Sequence, residues 1–256
     1  MYGWRGKVGL VSPSITDTEL LEYYQIMPEG VLITPIGLQV QNLVDEEFEE
    51  AVSMRRIEEA VKVLDYEEVQ VFIVLGTPPI TKMGFDADKK IIEKITLLTG
   101  KPASTGPTTE VEAMQSLGLK RIALVSPFTE ALNQYLASYF EYRGFQVVVA
   151  KGLNIVKNVD LTKQPFYRPY VLAKEAFLEA KGEVDGILIR CPRWPTVKSI
   201  APLEQDLGVP VIAAAQSTVW KTLTMLNVRE VQAGYGRLFA DFHQNTPRQV
   251  SPSIEF

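Results

Sequence analysis

Glu183-Val-Asp-Gly-Ile-Leu-Ile-Arg-Cys191 occurs twice in outline. Residues 68–76 read Glu68-Val-Gln-Val-Phe-Ile-Val-Leu-Gly76 and align with it without a gap, at an offset of 115 residues. Each copy is a short apolar run bounded by polar and turn residues, the pattern of a strand buried on both faces. Upstream, Val8-Gly-Leu-Val-Ser-Pro13 matches Ile122-Ala-Leu-Val-Ser-Pro127 at an offset of 114. A third match, at a shorter lag, pairs Gly100-Lys-Pro102 with Gly208-Val-Pro210, each leading into a small-residue turn and a helix. Three matches in the same order predict two copies of one α/β unit.

The rest of the chain fits that plan. Short β-rich runs (7–11, 31–34, 69–75, 120–125, 145–150, 186–189, 210–213) alternate with helical stretches. The helices are expected at 45–64, 89–98, 106–118, after Ser126, and at 169–180, 203–207 and 217–226. Pro35 is expected to end the second strand, and Ser126-Pro127 to cap and open a helix. Strands alternating with helices imply parallel, doubly wound sheets. The expected fold is therefore α/β, with two similar Rossmann-like lobes related by pseudo-twofold symmetry. Residues 104–216 form one lobe, and 1–103 with 217–256 form the other.

Composition narrows the chemistry. The 256 residues carry 26 Lys+Arg against 31 Asp+Glu, a net charge of −5, which disfavours a general nucleic-acid binder. No apolar run is long enough to span a bilayer and no signal-peptide core follows Met1, so the expectation is a cytoplasmic protein without membrane contact. A single cysteine, Cys191, and a single histidine, His243, leave no internal disulfide and no His- or Cys-rich metal centre. His243 reads as a surface tail residue. Chemistry must rest on one thiol, hydroxyls, carboxylates, Lys/Arg or backbone groups.

The duplication places that thiol. Ligands of open parallel sheets bind beyond the carboxyl ends of the strands. Cys191 and Gly76 are mirror positions at two such ends. Ser12-Pro13-Ser14 and Ser126-Pro127-Phe128 form a second mirrored pair. If the lobes face one another, these loops converge on a cleft with a thiol on one wall and a glycine on the other. Arg190 and Arg193 flank Cys191, and a nearby cation favours thiolate. Strand alternation can turn Arg190 away.

The sequence resembles the aspartate/glutamate racemase superfamily, most closely its arylmalonate decarboxylase and maleate cis-trans isomerase branch. The resemblance covers nearly the whole chain. It rests on Val8–Pro13, Leu75-Gly-Thr77, Ala123–Phe128 with Asn133, Asp185–Cys191, Ile200-Ala-Pro-Leu-Glu204, Leu207–Val211, Trp220 and Gly234-Tyr-Gly-Arg-Leu-Phe239. It implies a cofactor-independent reaction on a carbon acid bearing carboxylates. Racemases use two cysteines, one per lobe, and maleate isomerases use the first-lobe cysteine as a nucleophile. Arylmalonate decarboxylases keep only the second-lobe cysteine, with glycine at the mirror position, as here with Cys191 and Gly76. The resemblance thus implies that Cys191 protonates an enediolate left by loss of CO₂ from a small carboxylate or dicarboxylate. The alternatives are an isomerase or epimerase pairing Cys191 with a non-cysteine base, and a catalytically silent carboxylate-binding protein. Oligomeric state is left open.

By the same resemblance Thr77 belongs to a pocket for the dioxyanion. Three departures stand beside it. Pro78 replaces a serine, Phe128 a tyrosine and Pro192 a glycine, removing hydroxyl and N–H donors. At ~1.5–3 kcal/mol for each hydrogen bond to a charged group, that loss calls for other donors or another substrate. Ser14, Ser126, Thr81, Ser104, Thr105 and Arg193 are the candidates, with Ser12 and Pro13 completing the expected binding set. Trp194 fits either a cleft wall or a lobe edge, Trp220 fits the core, and 166–170 fits a loop over the cleft.

Overall fold

The computed structural model describes residues 2–231, 233–240 and 242. His243 lies outside them. The first sheet is built from β1 (Gly6–Ser12), β2 (Val31–Gly37), β3 (Val71–Val74) and β4 (Ala103–Thr105), with α1 (Thr18–Ile26), α2 (Asp45–Ala51), α3 (Met54–Tyr66), α4 (Thr77–Lys82) and α5 (Ala87–Thr99) between them. After α6 (Gly106–Ser116) comes a second sheet of β5 (Arg121–Val125), β6 (Gln146–Lys151), β7 (Gly186–Ile189) and β8 (Val211–Ala213). Its helices are α7 (Glu130–Tyr142), α8 (Arg168–Glu179) and α9 (Val197–Leu207), and α10 (Ala214–Met225) follows β8. Both sheets are parallel and four-stranded, in the orders β2-β1-β3-β4 and β6-β5-β7-β8.

The repeat is visible in the register. Val8 pairs with Val71 in the first sheet and Ile122 with Gly186 in the second. These are the same positions after offsets of 114 and 115. Phe72 pairs with Ala103, and Ile187 with Val211, which accounts for the shorter lag of the third match. The preceding helices stop alike: Gly100 and Gly208 both take the left-handed conformation, at φ 68° and 73°. In each sheet the order reverses between the first and third strands. The crevice at such a switch point is where ligands bind. The ends of β1 and β3 open one crevice, and those of β5 and β7 the other.

Side-chain alternation divides the interior. Ala123, Val125, Ile187 and Ile189 join a cluster that runs through both sheets, whereas Ile122, Leu124, Leu188 and Ile212 join a smaller one under α6 and α7. Trp220 packs against both. Among the described residues no helix is long and apolar enough to cross a membrane.

Four local expectations change. The 45–64 helix is two, because Ser53 caps α3 by accepting from the Arg56 N–H. The strand expected to end at Pro35 runs on to Gly37; β2 is an edge strand, so Pro35 deprives no neighbour of a hydrogen bond. The helix after Ser126 is capped by Thr129 instead. The helix at 203–207 starts at Val197 and passes through Pro202, because its first N–H groups are capped by Glu22, far away in sequence. The expected lobe boundary at 103/104 falls inside β4, so the first sheet extends to Thr105. We keep the two-lobe division, with that shift, as a proposal.

Candidate active site

The four strand ends meet around one cavity of about 60 Å³, counted as space open to the centre of a water molecule. Ser12, Pro13 and Ser14 reach it from β1, and Gly76, Thr77 and Pro78 from β3. Phe128 comes from β5, and Cys191, Pro192 and Arg193 from β7. Ser126 does not reach it. Its hydroxyl is fully buried, 2.5 Å from Asn133 Oδ1, and accepts from the Phe128 N–H, so it braces the turn that aims Phe128 inward. Ser104, Thr105 and Thr81 also stay outside. Thr105 caps α6 and Thr81 donates to the Thr77 carbonyl. Trp194 is fully buried but does not line the cavity, and Phe166 and Tyr167 are exposed elsewhere.

Two segments close the mouth. Residues 40–43 and 156–158 cross as an isolated antiparallel bridge, with Leu43 N–H donating to Val156 O at 2.7 Å and Asn158 N–H to Gln41 O at 2.9 Å. They present Val40, Leu43, Asn158 and, nearby, Phe48 and Leu161 to the cavity. The result is a small, mostly apolar chamber. Such walls strengthen the electrostatics of whatever polar groups remain.

Cys191 sits at the turn out of β7. Its φ is +78°, and its mirror Gly76 has φ +97°. The repeat therefore places a left-handed residue at both strand ends, and only one of them carries a side chain. A non-glycine residue there costs roughly 1–3 kcal/mol and must be held by its surroundings. Here Arg190 N–H binds Val125 O at 2.8 Å, Trp194 N–H binds Cys191 O at 3.1 Å, and Thr18 Oγ1 donates to Arg193 O at 2.7 Å. A Cβ at Gly76 would lie 2.9 Å from both Pro13 Cγ and Pro79 Cγ, so the mirror wall is closed to a thiol without some yielding.

The thiol is not the thiolate expected from its arginine neighbours. Burial pushes Cys191 up to about 12, against smaller opposing effects of the Arg193 and Trp194 N–H groups. Both guanidinium groups are committed elsewhere. Arg193 donates to both oxygens of Asp17, at 2.9 and 2.6 Å, and to Asn158 O. Arg190 is almost fully buried, stacks 5.2 Å from the Phe140 ring, and binds both oxygens of Glu110. It does line the cavity, because the chain has left strand alternation at the Cys191 turn.

Glu110 and Glu19 also line the cavity, and sequence reasoning missed both. Glu110 lies on α6, where its helix position carries no sign of chemistry; it accepts from the Thr77 hydroxyl at 3.1 Å. Thr77 lines the cavity as expected, with its hydroxyl donating to that carboxylate. Burial pushes Glu110 up, and Arg190 opposes the shift. Glu19 lies on α1, a helix that the sequence reading did not expect. Burial pushes its carboxyl up to about 8. Its Oε1 has no hydrogen-bond partner, and Ser12 faces it outside good hydrogen-bonding geometry. Among the described residues no group of three or more His, Cys, Asp or Glu side chains could hold a metal ion.

This arrangement of one thiol, a mirror glycine and a closed chamber across two repeated sheets has known relatives. A family model described as arylmalonate decarboxylase matches residues 8–239. The maleate isomerase of Geobacillus stearothermophilus is 28% identical over 130 residues, 51% of this chain and 51% of its own. The arylmalonate decarboxylase of Bordetella bronchiseptica is 28% identical over 142 residues, 55% of this chain and 59% of its own. The matched region thus spans between half and three-fifths of these relatives' length. A solved double mutant of arylmalonate decarboxylase in its liganded form superposes with a TM-score of 0.85, covering 92% of this chain and 99% of that one, at 20% identity. That last likeness speaks to the fold. With the family model spanning both repeats and every strand end that lines the cavity, the chain belongs to the arylmalonate decarboxylase family.

Proposed function

We propose that the protein is a cofactor-independent enzyme that removes CO₂ from a small disubstituted malonate, with Cys191 as proton donor. The observation that carries this reading is the single thiol facing a mirror glycine across one closed chamber. Loss of CO₂ leaves an enediolate. A neutral thiol on one wall protonates one face of it, and the glycine wall offers no second proton. Cys191 held as a thiol suits a donor better than a nucleophile.

The apolar roof raises the free energy of a carboxylate placed beneath it, which favours expulsion of CO₂. The remaining dioxyanion needs donors. Pro78, Phe128 and Pro192 supply none, and the Thr77 hydroxyl is occupied. Ser12 and Ser14 are the hydroxyls left at the wall, and the Arg193 guanidinium supplies positive charge. Gly76, Pro13 and the two prolines shape the walls. With Pro78, Phe128 and Pro192 supplying no donor, small malonates are expected to be better substrates than arylmalonates.

The test is to incubate the protein with 2-ethyl-2-methylmalonate, maleate and 2-substituted monocarboxylates and follow products by NMR. CO₂ release from the malonate, reduced at least ~100-fold in Cys191→Ser, is expected for loss of a general acid. Conversion of maleate, or exchange of an α-hydrogen without CO₂ release, would move the assignment to an isomerase or epimerase. Protection of Cys191 by dicarboxylates without any turnover would leave a binding protein.

A further inference from the structure

We propose that Glu19 returns the proton to Cys191 after each turnover, acting as the positioning acid of the thiol. The proposal rests on the reading of Cys191 as proton donor. Giving up its proton leaves Cys191 a thiolate in a chamber that disfavours charge. An acid in the same cavity returns a proton to the thiolate without waiting for solvent to reach it. Five groups face the Glu19 carboxyl or its helix turn: Ser12, Asp17, Tyr23, Arg193 and Cys191. Asp17 is ionised by its pairing with Arg193, and the Tyr23 hydroxyl is pushed well above its ordinary range by burial. Glu19 remains.

Three observations support it. Glu19 lines the cavity that holds Cys191. Its Oε1 is buried and unpartnered, although α1 offers solvent on its other faces. A carboxyl serving only to hold the fold would be expected to have its partner. Its neighbour one turn on, Tyr23, also holds a buried hydroxyl without a partner in good geometry, with Thr218 nearby. A protonated carboxyl there costs little to bury and stays an acid at neutral pH.

The step balances. The Glu19 O–H bond breaks and the Cys191 S–H bond forms, giving a neutral thiol and a carboxylate. The carboxylate then regains one proton from solvent before the next turnover. The transfer runs downhill, from the weaker base to the stronger.

Glu19→Gln keeps the shape and removes the acid. With a malonate that the wild type turns over, the variant should give a burst of one product per site and then a steady rate at least ~100-fold lower. Its steady rate should lose the fall above about pH 8 that ionisation of Glu19 gives the wild type. Glu19→Asp, one methylene shorter, should recover part of the steady rate. A variant whose first turnover and steady rate fall together has lost structure instead, and one that turns over like wild type needs no Glu19; either overturns the proposal. A second readout needs no substrate. Iodoacetamide reports the Cys191 thiolate directly, and removing the Glu19 charge, which holds the thiol up, should raise the alkylation rate at pH 9.5. Unchanged alkylation would show that the two groups do not share a proton, whatever becomes of the decarboxylase reading.

Discussion

Replacing Glu19 by Gln should change how stability depends on pH. In the unfolded chain Glu19 titrates near 4.5, and in the folded protein burial raises it to about 8. A carboxyl raised on folding contributes stability that is fully present below pH 4.5. That contribution is lost progressively as pH rises and is gone once pH passes about 8. Each unit corresponds to ~1.4 kcal/mol, so the full loss approaches roughly 5 kcal/mol. Gln has the same outline and does not titrate. The wild type and Glu19→Gln should therefore be close in stability at pH 4, and the variant should gain on the wild type through pH 7 and pH 9. Urea unfolding at those three values measures it. At ~2–4 °C per kcal/mol for a chain of this size, melting temperatures should differ by roughly 10 °C or more at pH 9. Cys191, pushed up to about 12, stays a thiol in the folded protein over this range, so the difference reports Glu19. Parallel stability curves would mean that Glu19 is hydrated in solution, and its burial at the cavity wall would be wrong.

Other outcomes follow from the same geometry. Glu110→Ala strands the buried Arg190 charge and should cost ~3–5 kcal/mol by urea unfolding, whereas replacing both residues with apolar side chains should cost much less. Ser53→Ala removes the cap that starts α3 and should cost ~1 kcal/mol, with no change at the cavity. Cys191, pushed up to about 12, should react with iodoacetamide at pH 8 at least ~100-fold more slowly than a free thiol, and faster labelling would show that its thiolate is stabilised after all.

The repeat was legible because buried strands and glycine-terminated helices leave local marks. Val8, Gly76, Ile122 and Cys191 could be placed on paper, and the strand registers put them where the offsets say. What local pattern misses is what another segment supplies. Glu22 caps α9 from a distant helix, so the start of α9 at Val197 had no signal nearby. Glu19 and Glu110 carry no local mark of burial, and Glu110 is buried by meeting Thr77 and Arg190, both distant in sequence. For Arg190 alternation could not decide, because β7 ends at Ile189 and the rule holds only within a strand. Thr77 was placed at the cavity by its motif, but its partner Glu110 lies on another element that the motif does not include.

The central claim is that one thiol, Cys191, delivers a proton to one face of an intermediate in the chamber between the repeats. The most direct measurement is the handedness of the product from prochiral 2-ethyl-2-methylmalonate in deuterated water. The account predicts 2-methylbutanoate of a single hand, carrying one deuterium at carbon 2, and no such product from Cys191→Ser. Racemic product from the wild type, or the same product from Cys191→Ser, would contradict it.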